Sequence, residues 1–148
     1  VDVSLAAADG GGESEGALNT TAVKVLVDPV SCLIIYSSAG HPPPVLVRGD
    51  GTCELLDKAT DPPLGVRPQH VPRPQATATY SPGDTLVMYT DGLIERRGED
   101  IDTGLARLTD TLGQCSDMTP EPMADTLLAR LGLAGGGSDD TALVIVRL

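Results

Sequence analysis

Tryptophan and phenylalanine are absent from these 148 residues, and only Tyr36, Tyr80 and Tyr89 carry aromatic rings. Single-stranded nucleic acid binds largely by stacking its bases on such rings, so the chain is poorly equipped for that partner. Positive charge is scarce as well. Ten Lys and Arg stand against 21 Asp and Glu, giving a formal net charge of −11. That field repels phosphate backbones and anionic bilayers, so neither nucleic acid nor membrane is an expected partner. The three cysteines, Cys32, Cys53 and Cys115, form no C-x-x-C pair, which argues against a zinc site or a disulfide framework and for reduced thiols in a cytoplasmic protein. No apolar run has the length of a membrane span, and residues 1–8 lack the charged start of a signal peptide.

What is present suits an aliphatic core. Hydrophobic residues make up 41% of the chain and charged residues 21%, values of a globular domain with enough length to bury a core. A single domain over residues 1–148 is expected. Residues 9–18, rich in Gly and acid, read as a flexible loop. Strict alternation of Val23, Val25 and Val27 predicts a strand over 21–28. A second follows over 33–38, and the two read as a hairpin. Strands over 45–48 and 52–56 flank Gly49-Asp50-Gly51, a tight turn. Residues 57–74 hold five prolines and predict a long connection pinned by Pro62-Pro63-Leu64-Gly65. Residues 77–80 and 85–90 read as another hairpin around Ser81-Pro82-Gly83-Asp84. Leu105, Leu108 and Leu112 then share one helical face. Thr119 with Pro120 predicts the start of a second helix, whose buried side is Met123, Leu127 and Leu131. The last strand is expected over 141–148, beside 85–90. The order is an α+β pattern dominated by antiparallel pairing.

Two acidic motifs stand at strand edges. Tyr89-Thr90-Asp91-Gly92-Leu93-Ile94-Glu95 ends one apolar run, and Ser138-Asp139-Asp140-Thr141 precedes another. A strand aims its end residues with little freedom, which makes such an Asp a well-placed hard-oxygen ligand for Mg²⁺ or Mn²⁺. If the two strands are neighbours, the aspartates can share a cation, the arrangement used in metal-assisted phosphate chemistry. The competing readings are ordinary: Asp91 as a turn cap before Gly92, and Asp139-Asp140 as an acidic turn. The three glycines at 135–137 are no phosphate-cradling loop, because no Lys-Ser or Lys-Thr follows them.

Taken in order, Ala39-Gly40-His41-Pro42-Pro43-Pro44, Pro82-Gly83-Asp84, the Asp91 motif and Asp139-Asp140-Thr141 resemble the metal-dependent serine/threonine protein phosphatases of the PPM class. The bacterial branch typified by SpoIIE and RsbU is the nearest pattern. The resemblance runs from Asn19 to Leu148. It implies an antiparallel β-sandwich flanked by helices, and two Mn²⁺ or Mg²⁺ ions that activate a water to attack a phosphoserine or phosphothreonine phosphorus. It further implies that Asp91 and Asp139 are metal ligands and that Asp140 lies beside the metal rather than on it; Gly92 allows close backbone approach at the site, weighed against a role in the turn alone. The implied substrate is a phosphorylated partner protein, such as an anti-sigma-factor antagonist in partner-switching signalling.

The chain departs from that pattern in one respect. The family carries a G-D pair and a D-x-x-G-H-G segment near its N-terminus; no D-x-x-G-H-G occurs in these residues and no G-D pair stands near their start. Since the sequence opens at Val1, the domain is expected to continue before residue 1, and this chain alone is expected to have weak phosphatase activity or none. The alternative is a non-catalytic interaction module that keeps the fold. His41 is a candidate acid or base, weighed against a structural role in its proline-rich loop. Arg96 and Arg97 are candidates to attract a phosphorylated substrate, weighed against a solvated charge cluster.

Overall fold

The computed structural model describes residues 1–8, 20–66, 71–132 and 141–148. The expected loop at 9–18 and the pair Asp139-Asp140 lie outside the described residues. The chain divides into two compact units, one made of residues 1–43 and 56–79, the other of 44–55 and 80–148.

The first unit is built on one sheet. β1 (Asp2–Ala8), β2 (Thr20–Asp28) and β3 (Leu33–Ala39) pair antiparallel in that order, and β3 also pairs antiparallel with β7 (Ala76–Thr79). Period-two alternation sends Val23, Val25 and Val27 inward, beside Ile34 and Tyr36 of β3, while Lys24 and Leu26 face out. The expected hairpin of β2 and β3 is present, with Val25 opposite Tyr36. β1 lies in residues read only for the lack of a signal peptide. The short β6 (Thr60–Asp61) adds two parallel rungs to β3, within a segment expected to lack regular structure. That segment is pinned where the prolines suggested. Leu64 N–H donates to Thr20 O at 2.8 Å, and Gly40 N–H to Asp61 O at 2.7 Å. Arg73 Nη1 reaches Asp61 Oδ2 at 2.7 Å and Pro62 O at 2.8 Å. Gly40 has φ +65°, and a Cβ there would stand 2.6 Å from Pro63 Cγ, so both its conformation and its space require glycine.

The second unit has a four-stranded sheet in the order β5 (Cys53–Leu55), β4 (Val45–Val47), β8 (Thr85–Tyr89), β9 (Leu143–Arg147). β8 is central, and all five of its residues are buried. β9 pairs with it antiparallel, Thr85 opposite Arg147 and Tyr89 opposite Leu143, which is the neighbour relation expected of the last strand. One expectation fails. Residues 77–80 and 85–90 do not form a hairpin, because β7 pairs with β3 and β8 with β4 and β9. The turn itself is real: Asp84 N–H bonds Ser81 O at 3.0 Å and Gly83 has φ +96°. It joins strands that belong to different sheets.

The two helices supply the unit's apolar layer. α1 (Ile101–Gln114) starts at Asp100, whose side chain accepts the Asp102 N–H. α2 (Pro120–Leu127) starts at Thr119 with Pro120 at its first position. Thr119 makes no side-chain cap bond there, consistent with Pro122 at the third position having no N–H to offer. A π-helical turn (Leu128–Gly132) continues α2. Leu108, Leu112, Met123, Leu127 and Leu131 close over Val45, Val47, Val87 and Tyr89. Such clusters of aliphatic side chains contribute roughly 1.5–3 kcal/mol per fully buried residue. None of the described helices is long and apolar enough to cross a membrane.

Candidate metal centre at the end of the central strand

β8 delivers the first acidic motif. Thr90 remains extended at φ −88° and ψ 160°, and the chain then enters a 3-10 turn (Asp91–Leu93). The turn is held from inside the unit. Leu93 and Ile94 are each 2% exposed, and Ile94 N–H and Glu95 N–H bond Asp91 O at 2.9 and 2.8 Å. α1 presses on it through Gly104, where a Cβ would stand 2.2 Å from Ile94 O. Anchored apolar neighbours and a closely packed helix thus fix the backbone beneath an exposed Asp91 carboxylate. Asp91 Oδ1 accepts the Gly92 N–H at 2.9 Å. Among the described residues no cation pairs with Asp91.

The second motif leads into the neighbouring strand. Thr90 N–H donates to Ala142 O at 3.0 Å, and Ala142 N–H donates to Thr90 Oγ1 at 2.8 Å. Ala142 is three residues beyond Asp139 in sequence and is bonded to the residue just before Asp91. The structure therefore makes neighbours of the two strands that the motifs border. Asp139 and Asp140 themselves lie outside the described residues.

The donor chemistry fits a hard divalent cation only in part. Asp91 supplies one carboxylate at a fixed strand end, the ligand type that Mg²⁺ and Mn²⁺ prefer. Among the described residues no group of three or more His, Cys, Asp or Glu side chains converges on a common point. What the described residues provide is one exposed carboxylate on a braced strand end.

His41 belongs to the first unit. It is 3% exposed, its Nδ1 lies 3.0 Å from Thr21 Oγ1, and its carbonyl accepts the Ser38 hydroxyl at 2.8 Å. These are the surroundings of a loop brace. A shallow depression in the same unit, lined by Lys24, Leu26, Ile35, Tyr36, Ser37 and Gln75, contains none of the expected site residues. Arg96 and Arg97 follow Asp91 in a turn closed by Glu99 N–H on Arg96 O at 3.1 Å. Gly98 has φ +80° in that turn, and among the described residues neither arginine forms an ion pair.

Two features of the second unit were not anticipated from the sequence. One is the bond from Ala142 to the Thr90 hydroxyl. The other sits at the opposite end of β8, where Asp84 accepts Arg48 Nη1 at 3.1 Å, Ser81 N–H at 2.9 Å and Gly49 N–H at 3.2 Å. Arg48 Nη2 also bonds Glu54 Oε2 at 2.6 Å. The Pro82-Gly83-Asp84 motif is thus more than a turn: its buried Asp closes a partly buried ion pair with Arg48.

Comparison with known proteins agrees with this architecture. The family model described as Stage II sporulation protein E (SpoIIE) matches residues 6–148, spanning both units. The phosphoserine phosphatase RsbP of Bacillus subtilis (strain 168) is 30% identical over 132 residues, which is 85% of this chain and 30% of that protein. Among solved structures, the RsbU and RsbW domains of Rv1364c from Mycobacterium tuberculosis match with a TM-score of 0.74 at 30% identity, over 86% of this chain and 36% of that one. The PP2C phosphatase domain of SpoIIE from Bacillus subtilis, solved with a fragment of its regulatory domain, matches with a TM-score of 0.71 at 21% identity, over 86% and 37%. The chain thus spans about a third of the length of these relatives. It belongs to the SpoIIE family and has the fold of PP2C phosphatase domains.

Proposed function

We propose that this chain forms part of the catalytic domain of a Mn²⁺- or Mg²⁺-dependent protein phosphatase acting on phosphoserine or phosphothreonine of a partner protein. The observation that carries the reading is the placement of Asp91: an exposed carboxylate on a buried, braced strand end, one residue from the bonds to Ala142. Asp91 and Asp139 would be the carboxylates that hold the metal, with Gly92 and Asp140 beside it. The chemistry that bound metal supplies is activation of water for attack on phosphorus. The chain's own contribution is to fix Asp91 against the sheet, and two carboxylates without further acidic motifs hold a metal pair weakly. Kinship with RsbP supports a phosphoserine substrate, and partner switching around a sigma factor is the signalling context we assign.

Phosphate release from a phosphoserine protein tests the reading. Release that needs Mn²⁺, stops with EDTA and is lost in Asp91→Asn and in Asp139→Asn is the expected result. Turnover that survives both substitutions removes the ligand assignment. A second reading, a regulatory module with the same fold and no chemistry, draws on the described residues, among which no group of three or more His, Cys, Asp or Glu side chains converges. Binding of the phosphoprotein that is unchanged by EDTA and by Asp91→Asn, with no phosphate released by the protein in which the chain naturally stands, would select it.

A further inference from the structure

In an antiparallel ladder, a hydrogen-bonded residue pair exchanges two backbone bonds. The rung beyond Tyr89 and Leu143 keeps only one of them. Thr90 N–H bonds Ala142 O at 3.0 Å as the ladder requires, but the return bond from Ala142 N–H goes to Thr90 Oγ1 at 2.8 Å. The Thr90 carbonyl is engaged elsewhere. It accepts the Leu93 N–H at 3.1 Å and so opens the 3-10 turn that carries Asp91. Thr90 is 5% exposed, a setting in which an unmade backbone bond is costly. A residue at this position therefore has to do two things: turn its carbonyl into the Asp91 turn, and still provide an acceptor for the neighbouring strand. A hydroxyl on Cβ does both, whereas an apolar side chain of the same shape can do only the first.

We infer that the Thr90 hydroxyl is a positioning group for the Asp91 carboxylate of the candidate metal centre, replacing its own carbonyl in the last rung so that the chain turns at Asp91 while Ala142 stays bonded to the end of β8. The inference rests on the reading of Asp91 and Asp139 as ligands and adds to it a reason for a hydroxyl residue just before Asp91. The clasp ties Ala142 to Thr90. Its loss frees the Ala142 amide at the end of β8 without removing the Asp91 carboxylate.

Thr90→Val removes the hydroxyl at nearly constant shape, and Thr90→Ser keeps it. Two quantities are measured on the whole chain: exchange of the Ala142 amide with deuterated water, and Mn²⁺ affinity from paramagnetic broadening of the Gly92 amide resonance. Loss of a bond of ordinary strength predicts that Thr90→Val speeds Ala142 exchange about tenfold and weakens Mn²⁺ binding about tenfold, with Thr90→Ser within about threefold of wild type on both. If the valine variant does not fold, Thr90→Ala is measured in its place with the same expectations. Wild-type Ala142 protection in the valine variant overturns the inference. So does Mn²⁺ bound by it as tightly as by wild type, even with a lowered thermal midpoint, since that outcome leaves Thr90 a purely structural role. A wild-type chain that binds no Mn²⁺ overturns the ligand reading and takes this inference with it.

Discussion

Strand β8 has an aspartate beyond each end, and the two are held in opposite ways. Asp84 is 4% exposed and is surrounded by donors: the Arg48 guanidinium and the amides of Ser81 and Gly49. Its backbone is also tied to the C-terminus, with Leu148 N–H on Asp84 O at 2.9 Å and Gly83 N–H on Leu148 O at 2.8 Å. Asp91 is exposed and accepts one side-chain bond, from the next residue along the chain. One carboxylate is consumed by the fold, and the other is displayed by it. The strand between them explains why both can exist. Five buried residues make β8 the stiff centre of its sheet, so fastening it firmly at the Asp84 end holds the Asp91 end in place without spending the carboxylate there. A bare acidic motif in a sequence does not tell these roles apart; the number of donors aimed at the carboxylate does.

The comparison is broken most severely by removing the buried member. Asp84→Ala leaves the Ser81 and Gly49 amides without this acceptor and takes one of two carboxylates from Arg48, which keeps Glu54, and the cost is about 2–3 kcal/mol of folding stability. Arg48 keeps 28% of its side-chain surface in water, which holds the figure at or below that for a fully buried pair. Asp91→Asn preserves an acceptor for Gly92 N–H and is expected to change stability by less than about 0.5 kcal/mol. Urea denaturation of the two variants checks the contrast, and equal losses would contradict it.

A second substitution tests the platform under Asp91. Gly104→Ala places a methyl group against Ile94 O, forcing α1 away from the 3-10 turn at a cost of about 1–3 kcal/mol, partly offset by alanine's better helix propensity of about 1 kcal/mol. A net loss in urea, with changed amide shifts at 92–95, is expected. An unchanged or raised midpoint would mean that the turn is not braced by the helix.

The smallest expected effect is alkaline. Burial pushes the Cys53 and Cys115 thiols up from their ordinary value of 9.0; the Asp110 charge adds to the shift at Cys53, while at Cys115 the Arg130 charge opposes burial and Asp117 adds to it. Burial also raises the Tyr89 phenol. The folded second unit therefore keeps protons that the unfolded chain releases. The stabilisation is complete below about pH 8 and declines as pH rises through the thiol and then the phenol range. The urea midpoint should fall between pH 8 and pH 10, and Cys53→Ser should reduce that fall.

What the sequence revealed, and what it hid, follows from range. The alternation of Val23, Val25 and Val27 and the leucine faces of α1 are local patterns, and each matches its element. The pairing of β9 with β8 followed from the most economical arrangement of the elements, in which the helices cover a sheet face and the last strand returns beside 85–90. The false hairpin at 77–90 shows the limit. Ser81-Pro82-Gly83-Asp84 encodes its turn correctly, but turn chemistry does not choose partners, and β3 and β9 lie far along the chain from the strands they claim. The Arg48 to Asp84 pair spans 36 residues and the Thr90 to Ala142 bond 52. Neither leaves a local signature, and the second depends on a carbonyl being diverted, which composition does not record. The position of Asp91 just past a strand end was legible because its strand and its glycine neighbour are adjacent in sequence.

The claim on which the account depends is that Asp91 and Asp139 hold one cation together. Calorimetric titration of Mn²⁺ into wild type, Asp91→Asn, Asp139→Asn and the double variant tests it directly. Shared ligation predicts that each single substitution removes most of the affinity and that the double loses scarcely more than either single, a strongly non-additive cycle. Losses that simply add, or single variants that bind Mn²⁺ as wild type does, would contradict it.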